Sequence, residues 1–416
     1  MEISFLGGAS EVGRSGFLLN DSKKILLDYG IKVEEQTEYP NRAGRVDAAI
    51  ISHAHLDHSG FSPGLYRDSM PITVATEPTM QLADLLIQDS IKIHKKKHEH
   101  EHYNKSDLKT MMNRYVPLRY ENTFGFDKYD ITLYDAGHIC GSAISLIEKR
   151  GSGKRIVYTG DFKIEPQLLE GGAQIVKSDV LILESTYANK DHPNREELAK
   201  KLVEEIKETI DNGGTALLPA FAVGRSQEIL AILNKNGLIK RTFVDGMARA
   251  ATEIVANYPD YIKDRELLLG AIRNSMWIEG RRNKNEAVEG GNIIVTTSGM
   301  LNGGPVLHYI RRLNRNSKIF LTGYQVENTN GHKLMNGLPL DIDGENFRVK
   351  TPFSVYDLSA HAGRSDLHEY VKKSDPQTVI CIHGSAENTA LFAEDLKLEG
   401  FDAYAPKVGD VINVEF

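Results

Sequence analysis

Residues 51 to 61, ISHAHLDHSGF, place three histidines and one aspartate within six consecutive positions, directly after an apolar run that predicts a strand. Imidazole nitrogen and carboxylate oxygen are both ligands that zinc accepts in proteins. His53 and His55 lie two positions apart, so in an extended loop they point the same way and suit one ion. Asp57 and His58 lie past the turn and can reach a second ion. A polar loop at the start of a helix is the alternative interpretation.

Three later residues extend this set of candidate ligands. They are His138 in DAGHICGSA, Asp161 in YTGDF and His383 in CIHGSAEN, each after a strand-like run. A carboxylate such as Asp161 can bridge two cations, which a histidine does poorly. Each of these residues alone is more readily explained as structural. Together with the first motif they favour two metals ~3.5–4 Å apart, as in two-metal hydrolases.

A second histidine-rich run, HKKKHEHEH at 94–102, has four histidines. Helical spacing would put His94, His98 and His102 on one face, where they could hold a metal. Lysine and glutamate surround them with little apolar support, however, so we expect a solvated helix face.

Composition limits the compartment and the kind of ligand. The N-terminus lacks the layout of a signal peptide and no run approaches ~18 apolar residues, which predicts a cytoplasmic protein that does not enter a membrane. Two cysteines, Cys140 and Cys381, are too few for a disulfide framework and are expected to be buried. The net charge of −7 gives a polyanion no overall attraction, so a nucleic acid would need a metal or a locally basic groove. The basic runs 280–285 and 310–318 offer such local charge, or are solvated faces.

Short apolar runs alternate with polar loops and helical stretches, which predicts an α/β or layered α/β/α architecture. Helices are expected at about 194–212 and 225–236. The metal-type residues lie before ~190 and after ~355, so we predict one domain interrupted by another. The predicted parts are 1–190, an insertion at 191–345, and 346–416.

The residues described so far resemble those of the metallo-β-lactamase superfamily, whose signature is H-x-H-x-D-H followed by later His, Asp and His ligands. The segment KKILLDYG resembles its first motif, which makes Asp28 the aspartate that orients the ligand loop. The resemblance implies an αββα sandwich.

Further motifs resemble those of the β-CASP group, the nucleic-acid-processing branch. Glu184 in LILESTYA, His361 in DLSAHAGRSDL and His383 match its A, B and C motifs. PAFAVGRSQEIL, TSGMLNGGP and LTGYQ resemble the lineage of the cleavage and polyadenylation specificity factor endonuclease, in its short archaeal form without a KH extension. The resemblance implies an inserted α/β β-CASP domain.

The same resemblance implies a zinc-dependent ribonuclease. One zinc would take His53, His55, His138 and Asp161, and the other Asp57, His58, Asp161 and His383. His361 would be the general acid, held by Glu184, and Asp57 would also orient the attacking water.

Residues for RNA or phosphate are predicted at Arg225, Ser298, Gly299, Ser359 and Arg364, from the same motifs and from loops before helices. RNA is the expected partner, with a homodimer or a larger RNA-processing complex as further expectations. Internal cutting and 5′-exonuclease action both stay open, as does DNA as the substrate. Two other functions stay open: an RNA-binding subunit with little activity of its own, and a small-molecule metallo-hydrolase of the same superfamily.

Overall fold

The computed structural model describes residues 1–34, 36–342 and 344–416. The chain divides into two compact units, Met1–Asp191 with Ala360–Phe416, and His192–Ser359. The second unit therefore extends past the predicted boundary at 345, because the strand at Phe353–Val355 pairs with the strand at Lys318–Leu321 in the sheet of that unit. No helix in the described ranges is long and apolar enough to cross a membrane.

The first unit contains two seven-stranded sheets. Its strands, numbered along the whole chain, are β1 Glu2–Gly7, β2 Gly16–Asn20, β3 Lys24–Leu27, β4 Lys32–Val33, β5 Thr37–Glu38, β6 Ala48–Ile50, β7 Ile72–Ala75, β8 Tyr115–Pro117, β9 Thr123–Phe126, β10 Tyr129–Asp135, β11 Ala143–Lys149, β12 Arg155–Tyr158, β13 Val180–Glu184, β22 Thr378–Ile382, β23 Asp402–Tyr404 and β24 Val411–Asn413. The strand orders of the two sheets are β24-β1-β2-β3-β6-β7-β8 and β23-β22-β13-β12-β11-β10-β9.

The two sheets pack face to face. One apolar cluster joins Phe5, Phe17 and Ile50 of the first sheet to Ile131 and Ile182 of the second. In β1 buried and more exposed residues alternate, as expected for a strand with one face in a core. The core of this unit therefore lies between the sheets.

Helices cover the outer face of the second sheet, and the first sheet is buried on both faces at β6, as the expected αββα sandwich requires. A second apolar cluster packs Tyr370 and Phe392 of two C-terminal helices against Leu181 and Val379 of the second sheet. The helices of this unit are α1 Leu56–Ser59, α2 Leu65–Asp68, α3 Glu77–Lys97, α4 Lys105–Met112, α12 Arg364–Ser374 and α13 Ala386–Leu398, with a 3-10 turn at Ser62–Gly64.

The carboxyl ends of several parallel strands meet at one edge of this sandwich. β12, β13 and β22 are parallel neighbours, and Glu184 at the end of β13 is in register with Ile382. In the other sheet β3 is parallel to β6. Residues that directly follow these five strands are therefore brought close together, although they come from separate parts of the sequence.

The second unit is built on a six-stranded parallel sheet with helices between the strands, which is the inserted α/β domain that was expected. Its strands are β14 Ala216–Pro219, β15 Thr242–Asp245, β16 Met276–Trp277, β17 Ile293–Thr296, β18 Lys318–Leu321, β19 Leu340–Ile342, β20 Glu345–Phe347 and β21 Phe353–Val355. The strand order of the sheet is β16-β15-β17-β14-β18-β21. The helices of this unit are α5 Arg195–Asp211, α6 Arg225–Lys235, α7 Ala248–Ala256, α8 Arg265–Asn274, α9 Arg281–Ala287, α10 Val306–Ile310 and α11 Asn330–Met335, with 3-10 turns at Ile239–Arg241 and Pro259–Tyr261.

Candidate metal centre

The first group of candidate ligands combines the loop after β6 with residues that follow β10 and β12. His55 Nδ1 lies 3.2 Å from both His53 Nε2 and His138 Nε2. Asp161 Oδ2 lies 3.6 Å from His53 Nε2 and 3.9 Å from His138 Nε2. Ligand atoms bound tetrahedrally at about 2.0–2.1 Å lie roughly 3.3–3.4 Å apart, so these separations suit a zinc ion.

A second group shares Asp161 with the first. His58 Nε2 lies 3.3 Å from Asp161 Oδ2 and 3.8 Å from Asp57 Oδ2. His383 Nε2 lies 3.4 Å from Asp57 Oδ2. These four residues again place one potential ligand atom each around a common point. All seven residues predicted as metal ligands are therefore brought together by the structure, with Asp161 between the two groups.

The hydrogen bonding of these side chains fits a cation. His58 Nε2 and His383 Nε2 are buried and make no hydrogen bond to any described residue, whereas Asp161 Oδ1 lies 2.9 Å from His383 Nδ1. Buried polar atoms without a partner are costly, and their cost is removed when a ligand supplies the missing interaction. These two nitrogen atoms lie beside the carboxylates of Asp161 and Asp57, and imidazole nitrogen with carboxylate oxygen matches the donor set of zinc.

The shifted pKa values of the first group favour the protonation states that bind a metal. Burial lowers the pKa of His53 and of His138, which keeps both imidazoles neutral. Burial alone would raise the pKa of Asp161, but the neighbouring His383 and His58 hold it well below its ordinary value. Neutral imidazole and ionised carboxylate are the forms that bind metals.

The second group must release protons before it can bind a metal. Burial lowers the pKa of His383, but the carboxylates of Asp161 and Asp57 outweigh it and raise this pKa to about 10. The pKa of His58 is likewise raised by Asp161 and Asp57 in spite of burial. Because a metal competes with these protons, its binding here should weaken as the pH falls.

Asp28, predicted to orient the ligand loop, accepts hydrogen bonds from three residues around it. Its Oδ1 accepts from Ser52 N at 2.7 Å, and its Oδ2 accepts from Ser52 Oγ at 2.6 Å and Tyr158 Oη at 2.5 Å. The same Oδ2 lies 2.7 Å from His58 Nδ1. An ionised carboxylate can only accept, so His58 carries its proton on Nδ1 and turns Nε2 toward the candidate ligands.

The backbone beneath the ligands is unusually constrained. Asp28 and His383 have φ values of 55° and 49°, in the left-handed region that non-glycine residues rarely adopt. A Cβ atom on Gly30 would overlap the carbonyl oxygen of Asp57, so the ligand loop packs directly on this glycine. Such strain costs of order 1–3 kcal/mol per residue and is typical of functional sites.

His361 and Glu184 form a third group beside the other two. His361 Nδ1 lies 3.1 Å from both carboxylate oxygens of Glu184 and 3.9 Å from Asp161 Oδ2. Glu184 is buried and also accepts from the backbone N–H of Phe162 at 3.0 Å, which fixes its orientation. Burial lowers the pKa of His361, but Glu184 and Asp161 raise it overall. The pair can therefore hold a proton next to the metal-type residues.

Several side chains that support these groups were missed by the sequence interpretation. Ser52 and Tyr158 hold Asp28, Thr186 Oγ1 donates to the His383 carbonyl at 2.9 Å, and Lys163 Nζ lies 3.5 Å from the His361 carbonyl. Lys163 is buried, which is rare for a lysine. The only sequence signal was their position within three residues of a motif histidine, aspartate or glutamate.

The five residues predicted for RNA or phosphate come from several elements of the two units. Arg225 begins α6, and Ser298 with Gly299 follows β17. The Ser359 carbonyl accepts from Arg195 Nη1 at 3.1 Å. The guanidinium of Arg364 donates to the Ala188 carbonyl at 2.9 Å and to Asp395 at 2.5 Å. Their role toward RNA stays a prediction.

The run at 94–102 does not form the helical face that its spacing predicted. α3 ends at Lys97, and His98 is the C-cap in a left-handed conformation, so His102 lies outside the helix. His94 is buried rather than solvated, and its Nε2 lies 2.9 Å from Thr37 Oγ1. In the described part of the chain, the groups that could hold a metal are the three around Asp161.

Comparisons with known families divide the sequence into three matches. A metallo-beta-lactamase superfamily domain matches residues 17–185, and a Beta-Casp domain matches residues 226–334. A Zn-dependent metallo-hydrolase RNA specificity domain matches residues 347–406.

Similar proteins come from archaea. The chain is 38% identical to "Probable RNase MJ4" of Methanocaldococcus jannaschii over the full length of both. It is 33% identical to "RNase aCSPSF2" of Saccharolobus solfataricus, covering 99% of this chain and 85% of that protein. It is 34% identical to "Transcription termination factor FttA" of Methanocaldococcus jannaschii, covering the whole chain and 72% of that protein.

One solved structure, a protein of unknown function from Enterococcus faecalis V583, superimposes with a TM-score of 0.63 over 99% of each chain. The sequence identity is 13%, so this likeness bears on the fold alone.

Proposed function

The chain belongs to the β-CASP family of the metallo-β-lactamase superfamily, and we propose that it is a zinc-dependent ribonuclease that hydrolyses RNA phosphodiester bonds in RNA processing or decay. The observation that carries the proposal is the position of Asp161, which belongs to all three groups of candidate ligands. A buried carboxylate in that position joins two metal-type groups to the His361–Glu184 pair.

Two zinc ions are proposed as the cofactors. His53, His55, His138 and Asp161 would hold one, and Asp57, His58, Asp161 and His383 the other. Bound metals of this kind lower the pKa of water, polarise a phosphoryl oxygen and offset developing negative charge. The Nε2 atoms of His58 and His383, which make no hydrogen bond to a described residue, support this arrangement.

Three side chains, those of His361, Glu184 and Asp57, have separate roles in the proposed reaction. His361 Nδ1 faces Glu184, so Nε2 is the nitrogen that would deliver a proton to the leaving oxygen as the bond from phosphorus to that oxygen breaks. Glu184 stabilises the protonated imidazole and fixes its direction. The Asp57 carboxylate is more exposed than that of Asp161, which suits it to orient the attacking water.

RNA is proposed as the substrate because relatives are named as RNases and because an RNA specificity domain matches the C-terminal part of the chain. Arg225, Ser298, Gly299, Ser359 and Arg364 are proposed to contact it. We further propose that the protein works in the cytoplasm, as a homodimer or within a larger RNA-processing complex.

The test is digestion of one RNA with zinc present, labelled at its 5′ end in one reaction and its 3′ end in another. His361→Ala should lower cleavage by about 10²–10⁴-fold, the usual contribution of a general acid. His368→Ala is the matched control, because His368 also pairs with a glutamate, Glu399, at 3.0 Å but lies outside the three groups. It should cleave as the wild type does.

The pattern of RNA products distinguishes internal cleavage from 5′-exonuclease cleavage. Discrete internal fragments from both labels mean an endonuclease, and release of mononucleotides from the 5′ label alone means a 5′-exonuclease. Intact RNA in every reaction, with zinc confirmed in the protein, would overturn the proposal and favour an RNA-binding subunit.

A further inference from the structure

The second unit contains a cavity of about 590 Å³ that the site around Asp161 does not use. Its charged and polar lining consists of Asp245, Glu279, Arg281, Lys284, His308 and Arg312. The volume lies within the range of small-ligand sites, roughly 300–1,000 Å³. All of these residues belong to the second unit.

The cavity lies where ligands bind in parallel sheets. Asp245 is the last residue of β15, and Glu279 follows β16 after one intervening residue. α10, which carries His308, comes after β17. β15, β16 and β17 are parallel, so their carboxyl ends share one edge, where open α/β sheets bind ligands.

Two basic runs that are separate in the sequence meet here. Arg281 and Lys284 come from 280–285, and Arg312 comes from 310–318. The two cavity carboxylates are engaged by other groups. Asp245 Oδ2 accepts from Tyr309 at 2.6 Å and lies 3.1 Å from Lys284 Nζ, and Glu279 pairs with Arg249. Among the described side chains, neither carboxylate is therefore paired with Arg281 or Arg312.

His308 supplies a donor of a different kind. Arg312 Nη1 donates to its Nδ1 at 3.1 Å, so the proton of the neutral ring is on Nε2. This Nε2 is buried and makes no hydrogen bond to any described residue. Burial lowers the pKa of His308, and the charges of Arg312, Lys284 and Arg281 lower it further. A positive potential beside an unpaired N–H favours an anionic oxygen acceptor.

We propose that this cavity binds the phosphate group of a nucleotide, with Arg281 and Arg312 as charged donors and His308 as a neutral donor. Guanidinium groups suit phosphate because two parallel N–H donors match two of its oxygens. The phosphate belongs either to an RNA strand or to a free nucleotide. Binding of an RNA strand rests on the proposed function, whereas binding of a free nucleotide does not.

The experiment compares two double variants of the full-length, zinc-loaded chain. Arg281→Gln with Arg312→Gln removes the cavity donors. Arg282→Gln with Arg315→Gln is the matched control, because it makes the same charge change at exposed neighbours that do not line the cavity. The probes are inorganic phosphate and AMP by calorimetry, and a single-stranded RNA with phosphorothioate linkages, which resists cleavage, by fluorescence anisotropy.

We expect the cavity variant to bind the RNA or AMP at least about tenfold more weakly than the control variant does. For RNA, the slope of log affinity against log salt should also fall by about 0.7 for each phosphate that the variant no longer neutralises. Weaker binding of RNA alone identifies a strand as the source, and weaker binding of AMP alone identifies a free nucleotide. Equal affinities of the two variants for every probe would overturn the proposal. All of these are binding measurements, so they decide the role of the cavity even if the wild type cleaves no RNA.

Discussion

The first unit contains two segments of similar histidine density, 53–58 and 94–102, which have very different surroundings. The first follows β6 at the edge where the carboxyl ends of several strands meet, and residues from three other loops complete its neighbourhood. The second begins in α3 and continues past its C-cap, and its histidines form no such group among the described residues. Convergence of strand ends, rather than the number of histidines, therefore creates the candidate metal centre.

The largest expected effect comes from Asp161→Asn, because this carboxylate belongs to both proposed ligand sets. We expect the variant to lose most of its bound zinc and at least about 10³-fold of its cleavage rate, since metals supply several kcal/mol of transition-state stabilisation. Zinc content is measured by mass spectrometry after gel filtration.

His100→Gln is the control from the other segment, since His100 is exposed and outside the three groups. It should keep the zinc content and activity of the wild type. Loss of zinc from this variant, or a full zinc content in Asp161→Asn, would remove the contrast between the two segments.

A smaller effect is expected from Asp28→Asn, which keeps the shape of the side chain but removes its charge. The amide cannot accept from Ser52, Tyr158 and His58 together, so His58 loses the fixed direction of its Nε2. Partners of this kind are worth about 10–100-fold in metal affinity. We expect a loss of that size in a competition with a zinc chelator.

Asp47→Asn provides the comparison for Asp28→Asn. Asp47 precedes β6, at the opposite end of the same strand pair, where its Oδ2 accepts from Lys24 N at 2.9 Å. The zinc affinity of the Asp47→Asn variant should equal that of the wild type. If both variants bind zinc equally well, the ligand loop is held by its backbone alone, and the carboxylate of Asp28 has no part in it.

The surroundings of Asp28 and Asp47 also show which parts of the site could be predicted from the sequence. Motif residues of metal-binding type directly follow apolar runs, so their meeting at one sheet edge could be expected from α/β architecture. Tyr158 could not be identified this way, because it lies 130 positions from Asp28 and on the other sheet. Only the face-to-face packing of the two sheets brings its hydroxyl to that carboxylate.

Local patterns were also insufficient where an element ends. The prediction that His94, His98 and His102 share one face requires a helix through residue 102. α3 instead ends at Lys97, and His98 adopts the left-handed conformation. The end of the second unit at Ser359 depends on a three-residue strand, β21, that pairs with β18. Strand pairing over this distance is a tertiary property, and no composition change at 345 or 359 reports it.

The smallest expected effect concerns His94, the buried histidine of the second segment. Burial lowers its pKa below the ordinary value, so the folded chain holds this proton less tightly than the unfolded chain does. The contribution of His94 to the free energy of unfolding is therefore complete above the unfolded pKa of about 6.5, and it is lost as the pH falls below it. His94→Gln retains a hydrogen-bonding group near Thr37 but cannot be protonated. Urea unfolding at pH 7.5 and 5.5 should thus show a smaller loss of stability in the variant than in the wild type.

Because both proteins keep the same histidines around Asp161, the difference between the two losses isolates His94. Equal losses would mean that the pKa of His94 is the same in the folded and the unfolded chain.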